Sequence, residues 1–159
     1  MAKYLHGETT KEFNDCVCEL VFNTAMTGYL GLLTDAAYAG QGIVMTYPLI
    51  GNYGIALEDK LSENLWPTCF IVHELSKKDS NFRSNGDIIT FLEEHNIPTI
   101  TEIDTRKLAK ILRKNGTMKA LITVNEYSKE VSAQKTSEFK EINLVEKTSC
   151  KEIKHIERK

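Results

Sequence analysis

The groups that could do chemistry in this 159-residue chain are four histidines, four cysteines and a scatter of acids. Cys69 stands four residues before His73, and a thiol activated by a neighbouring base makes a nucleophile. The intervening Phe70-Ile71-Val72 reads as strand. Cys69 and His73 then share a face but lie about 13 Å apart along the chain, too far to touch without a bend. A buried free thiol is the simpler role for Cys69. No G-x-S-x-G or G-x-C-x-G elbow presents a nucleophile elsewhere. His73-Glu74 lacks the second histidine of H-E-x-x-H, and His6, His73, His95 and His155 are scattered, so no metal site is expected. Neither a phosphate-binding loop nor a dinucleotide fingerprint is present, and Gly51 and Gly54 are too sparse to cradle a phosphate. Cys16 and Cys18, spaced C-x-C, have no second pair to complete a zinc pattern. With Cys69 and Cys150 they are expected as unpaired thiols, Cys18 as a small buried hydrophobe. Asp104-Thr105-Arg106-Lys107 brings an acid beside bases, but Asp ahead of an apolar-periodic run is first a helix cap, with the bases on a solvated face. Read residue by residue, the chain has no visible active site. An independent small enzyme built on Cys69 or Asp104 is the reading that these spacings disfavour.

The elements around these groups are clearer. Val17–Phe22 is rich in β-branched and aromatic residues and predicts a strand. Tyr29, Leu32 and Leu33 fall at helical spacing within a short helix over Gly28–Leu33, and Thr34–Gly40 reads as a loop. Ile43–Tyr47 predicts a strand stopped by Pro48, Gly51–Gly54 a turn with two glycines free to take positive φ, and Cys69–Val72 a short apolar strand. Ser84-Asn85-Gly86-Asp87 matches a helix start with Ser84 as the cap and an acid three residues on. That helix carries Ile88, Phe91 and Leu92 inward and ends before Pro98. Thr99–Ile103 alternates as a half-buried strand. Asp104 then caps a helix with Leu108, Ile111 and Leu112 inward and Arg106, Lys107, Lys110, Arg113 and Lys114 outward, closed by Gly116. Lys119–Thr123 is a last strand. Strands come first and mixed elements follow, which predicts an α+β or three-layer domain rather than a doubly wound nucleotide fold. Residues 1–16 are polar with little periodicity, and 125–159 hold 8 Lys+Arg and 7 Asp+Glu. Val131, Phe139, Ile142, Leu144 and Val145 are scattered through that tail, which predicts a modestly amphipathic helix and an exposed extended end.

Charge sets the partner class. Twenty Lys+Arg against 22 Asp+Glu leave a net charge of -2, which argues against nucleic acid and against a polybasic membrane surface. No apolar run approaches the roughly 20 residues of a membrane span, and the N-terminus lacks the apolar core of a signal peptide. A soluble, cytoplasmic chain with no membrane partner is expected. Protein contact remains. Asn81-Phe82-Arg83 sets an aromatic beside an arginine, and Tyr47–Gly54 is dense in aromatic and turn residues; both suit an interface.

Several segments together resemble one family. Glu19–Tyr29 is similar to the E-V-V-F-N-T-x-M-T-G-Y signature of the small subunit of carbamoyl-phosphate synthetase. Leu33–Gln41 resembles its L-T-D-P-S-Y-x-x-Q, and Met45–Gly54 its M-T-Y-P-L-I-G-N-Y-G. Ser80–Ser84 and Ile103–Leu108 complete a set of five in the family's order over about 17–124. The resemblance implies a three-layer β/β/α domain of the swivelling type over 1–124, followed by a charged connector over 125–159. In the family that connector leads to a class I glutamine amidotransferase domain with a Cys-His-Glu triad. That domain hydrolyses glutamine and passes ammonia to a large subunit, which uses bicarbonate, ATP and Mg to make carbamoyl phosphate for arginine and pyrimidine biosynthesis. The resemblance therefore implies no catalytic residue, no metal and no cofactor in this chain. It implies two partners, the large subunit and the chain's own glutaminase domain. The chain ends at Arg158-Lys159, about where the family enters the glutaminase, so these residues alone are expected to be inactive.

Two departures from the family pattern stand out. Only 18 residues precede Glu19, so the family's first strand is expected to be shortened or missing, leaving an exposed sheet edge. The serine of L-T-D-P-S-Y, which in the family reaches the bound glutamine, corresponds to Ala37, and its proline to Ala36; the hydroxyl is absent. The resemblance and the exposed aromatics together select Asp35, Tyr38, Tyr47, Asn52, Tyr53, Asn81, Phe82 and Arg83 as interface residues. The alternative reading is a stand-alone, non-catalytic interaction module that has lost its glutaminase half.

Overall fold

The computed structural model describes residues 4–139 and 143–152. Its centre is β3 (Gln41–Met45), in which Gly42, Ile43, Val44 and Met45 are all buried. On one side it pairs in parallel with β2 (Cys16–Asn23), and on the other with β5 (Cys69–Ile71). Beyond β5 lies parallel β7 (Thr99–Thr101), and beyond that antiparallel β1 (Glu8–Thr9). Antiparallel β8 (Met118–Ile122) closes the other edge against β2. The sheet order is β1-β7-β5-β3-β2-β8, with a separate parallel pair of β4 (Leu49–Ile50) and β6 (Glu74–Leu75).

Parallel strands connect only through crossovers, which place cover on their faces. On one face, α1 (Tyr29–Thr34) and α2 (Ile88–Glu94) pack Tyr29, Leu30, Leu33, Ile88 and Leu92 onto Ile43, Met45, Phe70 and Val72. On the other, α3 (Thr105–Asn115) sets Leu108 and Leu112 against Leu20, Val44, Ile71 and Ile122. Odd and even residues of β3 thus belong to two different cores, as a period of two requires. The result is an α+β domain with a mixed sheet. Two more helices follow β8: α4 (Lys129–Glu138) and α5 (Leu144–Thr148).

Most predicted elements are present with ends shifted by one or two residues. Asp104 caps α3, accepting from the Lys107 N–H at 2.9 Å. The predicted Ser84 cap is a correction. Ser84 forms its own turn, its hydroxyl accepting from the Gly86 N–H at 3.3 Å. Asp87, one residue before α2, takes the Thr90 N–H at 2.8 Å and is the cap. The backbone N–H groups at the helix start hold the Asp87 carboxyl below its ordinary value. The strand predicted to Ile103 stops at Thr101, because Glu102 turns into positive φ (60°) and drops Ile103 into the α3 core. A helix does form in the charged tail, but none of its residues is buried, so the expected amphipathic face is a correction: Val131 is its only large apolar residue and stays exposed. The predicted extended end falls largely in 153–159, and Ile142 is also outside the described residues.

Gly42 shows why β3 tolerates no side chain there. A Cβ on it would sit 2.7 Å from Cys69 Sγ, 2.8 Å from Cys18 Sγ and 2.8 Å from Leu20 Cδ2. The two thiols meet over the glycine at 3.7 Å and are fully buried. Contact with Cys18 and burial push the Cys69 thiol up, and burial pushes Cys16 up to about 12. Such thiols are inert packing rather than nucleophiles, as the spacing of Cys69 and His73 implies.

The segment leading into α4 and the helix itself converge on one carboxylate, while Lys129 of α4 also lies over the Tyr4 ring. Asp15 accepts from Thr123 Oγ1 at 2.5 Å, Tyr127 Oη at 2.6 Å, Lys135 Nζ at 3.0 Å and Asn125 Nδ2 at 3.1 Å. The Thr123 and Tyr127 hydroxyls, helped by Lys135 and Asn125, outweigh partial burial and hold this carboxyl well below its ordinary 3.8.

Two expected outcomes follow from this packing. Gly42→Ala lowers stability by about 1–3 kcal/mol through overpacking, and Cys69→Ala in the same chain recovers part of the loss; urea denaturation of the four chains in the cycle reads the coupling, and strict additivity would refute the contact. Asp15→Asn lowers stability at neutral pH by about 2 kcal/mol. A carboxyl depressed in the folded state stabilises above its unfolded value and loses that contribution as pH falls through the folded value. The wild type therefore loses stability more steeply than Asp15→Asn below about pH 4, and parallel slopes in denaturation series at stepped pH would contradict the assignment.

Candidate functional site

Tyr29 organises the first candidate surface from beneath. Its ring is fully buried, and its hydroxyl donates to the Met26 carbonyl at 2.7 Å and lies 3.2 Å from Asn52 Oδ1. One residue thus ties the loop after β2 to the Gly51–Gly54 turn. Burial pushes its phenol up, so the hydroxyl stays a donor. The turn needs its glycines: Gly51 has φ 113° and Gly54 φ 69°, and a Cβ on Gly54 would collide with Ser84 Oγ. That close approach brings the 80–86 loop onto the turn. Ser80 N–H donates to the Asn52 carbonyl at 2.9 Å, and Ile55 N–H to the Gly86 carbonyl at 2.9 Å.

On this platform Tyr53 stands edge-on to Tyr29, with ring centroids 6.1 Å apart. The Tyr53 hydroxyl donates to Asp59 Oδ2 at 2.9 Å and accepts from Arg83 Nη2 at 2.5 Å. The Arg83 guanidinium also lies 5.8 Å from the Tyr53 ring centroid and 3.4 Å from Glu58 Oε2. Next to it Phe82 is 95% exposed. Asn81 Oδ1 accepts from the Arg83 N–H at 3.2 Å, while its buried Nδ2 has no hydrogen-bond partner among the described residues. The structure therefore brings Asn52, Tyr53, Asn81, Phe82 and Arg83 together. Asp59, Glu58 and Tyr29 complete the cluster and were not singled out from sequence as interface residues. Tyr29 was legible only as a core position, and no local spacing links Asp59 or Glu58 to residue 83.

Asp35 and Tyr38 lie on a separate loop. Asp35 Oδ1 accepts from the Ala37 N–H at 2.9 Å and caps a 3-10 turn over Ala36–Tyr38, and Asn23 Nδ2 donates to Tyr38 Oη at 2.9 Å. Here the Asp35 cap orders the turn without a proline. Ala36 and Ala37 are exposed. Tyr47 belongs to neither group; it lines a groove beside α3 with Phe22, Met26 and Arg106. Among the described residues no group of three or more His, Cys, Asp or Glu side chains could hold a metal ion. No described helix is long and apolar enough to cross a membrane. The arrangement offers an ordered arginine, an exposed phenylalanine and tyrosine hydroxyls, of residue types enriched at protein interfaces.

The Tyr53 hydrogen bonds make a direct prediction. The bond to the Asp59 carboxylate, with partial desolvation, raises the Tyr53 phenol above its ordinary 10.0, and Arg83 opposes that rise. Asp59→Asn lowers the Tyr53 titration toward 10.0 and Arg83→Gln raises it, each read by NMR of 13C-labelled tyrosine. An unmoved titration in Asp59→Asn would show that this hydroxyl does not face the carboxylate.

Comparison with known proteins places these segments. The family model described as "Carbamoyl-phosphate synthase small chain, CPSase domain" matches residues 2–122. Among curated proteins, the chain is 48% identical to the carbamoyl phosphate synthase small chain of Caldanaerobacter subterraneus subsp. tengcongensis over 133 residues, 84% of this chain and 35% of that protein. It is 40% identical to that of Archaeoglobus fulgidus over 157 residues, 97% of this chain and 44% of the relative. Against that of Clostridium perfringens it is 43% identical over 146 residues, 92% and 42% of the two chains. The chain thus spans less than half the length of these relatives. On the family match and on identity over most of its length, this chain belongs to the carbamoyl-phosphate synthase small chain family.

Proposed function

We propose that the chain is the N-terminal scaffold and interface domain of a glutamine amidotransferase subunit of carbamoyl-phosphate synthase. In this reading it docks to the large synthetase subunit and to its own C-terminal glutaminase domain. The complete assembly takes ammonia from glutamine and forms carbamoyl phosphate for arginine and pyrimidine biosynthesis in the cytoplasm. ATP and Mg act in the large subunit, and this chain contributes no cofactor. Residues 1–124 form the domain, of the swivelling three-layer β/β/α type, and 125–159 the connector. The observation that carries the reading is the match over residues 2–122 to the small-chain domain, in a chain whose described buried thiols are packed into its sheet core. The Tyr53–Arg83 cluster and the Asp35–Tyr38 loop are the docking surfaces, and Ala37 faces the glutaminase without a hydroxyl to offer bound glutamine. A hydrogen bond lost at that position weakens glutamine binding by about 0.5–1.5 kcal/mol without abolishing it.

Ala36-Ala37 also favours a second reading, a stand-alone interaction module without a glutaminase half. The intact mass of the native protein separates the two, since a product well above 18.0 kDa excludes the module. The proposal itself is tested with a purified carbamoyl-phosphate synthase large chain. The expected outcome is a 1:1 complex in sedimentation, weakened by Phe82→Ala or Arg83→Ala, with no glutamine hydrolysis by this chain alone. A large chain that ignores the domain at high micromolar concentration, or glutaminase activity lost in Cys69→Ala, would overturn it.

A further inference from the structure

The loops beyond the C-terminal ends of the parallel strands open onto a groove of about 380 Å3. Its floor is Phe22, Met26 and Tyr47. Met26 is 55% exposed and Tyr47 38% exposed, so an apolar surface lies open to solvent. Its wall is one stripe of α3, Arg106, Lys110 and Arg113, at the i, i+4, i+7 spacing that shares a helix face. Arg113 lies 5.8 Å from the Phe22 ring centroid. Among the described residues none of the three cations has a carboxylate within 4.0 Å. A second hollow of about 180 Å3 shares Thr46 and Arg106 and extends the groove to His73 and Asp104.

We propose that this groove docks an acidic amphipathic helical segment of a partner protein. The segment lays its apolar face on Met26 and Tyr47 and its acids against Arg106, Lys110 and Arg113. Charge complementarity carries the argument. Three like charges along about 10 Å of one helix face repel one another until a partner brings the opposite sign. A helix with acids at the same spacing meets all three at once. Nucleic acid fits poorly, because the floor is apolar and the chain's net charge is -2. Residues 153–159 of this chain do not fit, since Lys154, Arg158 and Lys159 outnumber Glu157. A second copy docking through the same groove would bring an identical positive stripe against this one. The inference does not rest on the proposed function, because the groove is separate from the Tyr53–Arg83 cluster.

The test uses the whole chain and a fluorescein-labelled synthetic helical peptide of about 18 residues, five turns, with Glu on one face and Leu and Phe on the other. A second peptide has every Glu replaced by Gln. The acidic peptide is expected to bind and to weaken as salt rises from about 50 to about 500 mM. Its affinity falls at least about tenfold in an Arg106→Gln, Lys110→Gln, Arg113→Gln variant and is unchanged in Phe82→Ala. Amide shifts in the 15N-labelled wild type are expected at Met26, Tyr47 and α3. Equal binding of the Gln peptide, equal binding by the neutralised variant, shifts confined to another surface, or self-association of the chain through this groove would each overturn the proposal. If the variant fails to fold, the wild-type shift map and salt dependence decide alone. Loss of this binding with large-chain binding intact would remove this inference and leave the proposed function standing.

Discussion

The burial of β3 on both faces is the constraint from which the rest follows. Gly42 through Met45 have no solvent-facing side, so every neighbour must fit around them. Ile43 and Met45 demand α1 and α2 above, and Val44 demands α3 below. Gly42 leaves a gap that two thiols fill. The only described cysteines with full burial are thereby committed to packing, and contact with Cys18 and burial push the Cys69 thiol up. The surfaces left free lie where the constraint ends, on the loops past the strand termini, and the Met45–Gly54 and Ser80–Ser84 segments fall largely there.

What could be read from sequence tracks how local the determining interaction is. The strands at β3 and β5 show as apolar runs because burial on both faces leaves few polar positions, and β2 shows through its β-branched and aromatic residues with Cys18 and Leu20 buried on one face. α3 is legible from cap to C-terminus because Asp104, the apolar face and Gly116 lie within one short span. β1, β4 and β6 are two residues each and owe their existence to partners far along the chain, such as Glu8 with Thr101 and Leu49 with Glu74. No propensity marks them. Ser84 and Asp87 both satisfy a capping pattern, and the local turn at Ser84 decides between them. The Asp15 cluster joins residues more than 100 positions apart and has no sequence spacing to find.

The candidate surface shows the same division. Asn81-Phe82-Arg83 and the Tyr47–Tyr53 segment are visible as aromatic and turn chemistry, but their grouping is not. Tyr53 joins Arg83 through a turn that positive-φ glycines shape, while Tyr47 leaves for the other side of the loop. Tyr29 does the joining from inside the core, so its amphipathic position in a helix conceals a structural hydrogen bond.

The two exposed regions differ in how their arginines are held, and this gives them different physical roles. An exposed pair such as Arg83 and Glu58 at 3.4 Å contributes less than about 1 kcal/mol by itself. What fixes Arg83 is the Tyr53 hydroxyl and ring, themselves fixed by Asp59 and Tyr29. A guanidinium ordered before contact avoids roughly 0.5–1.5 kcal/mol of side-chain ordering on binding. With Phe82 beside it, that cluster suits short-range holding, which governs how slowly a partner leaves. Arg106 and Lys110 have no such brace. Long, solvated and without a carboxylate partner among the described residues, they act at a distance and govern how fast an acidic partner arrives. Neutralising the first cluster should act through dissociation, and neutralising the second through association.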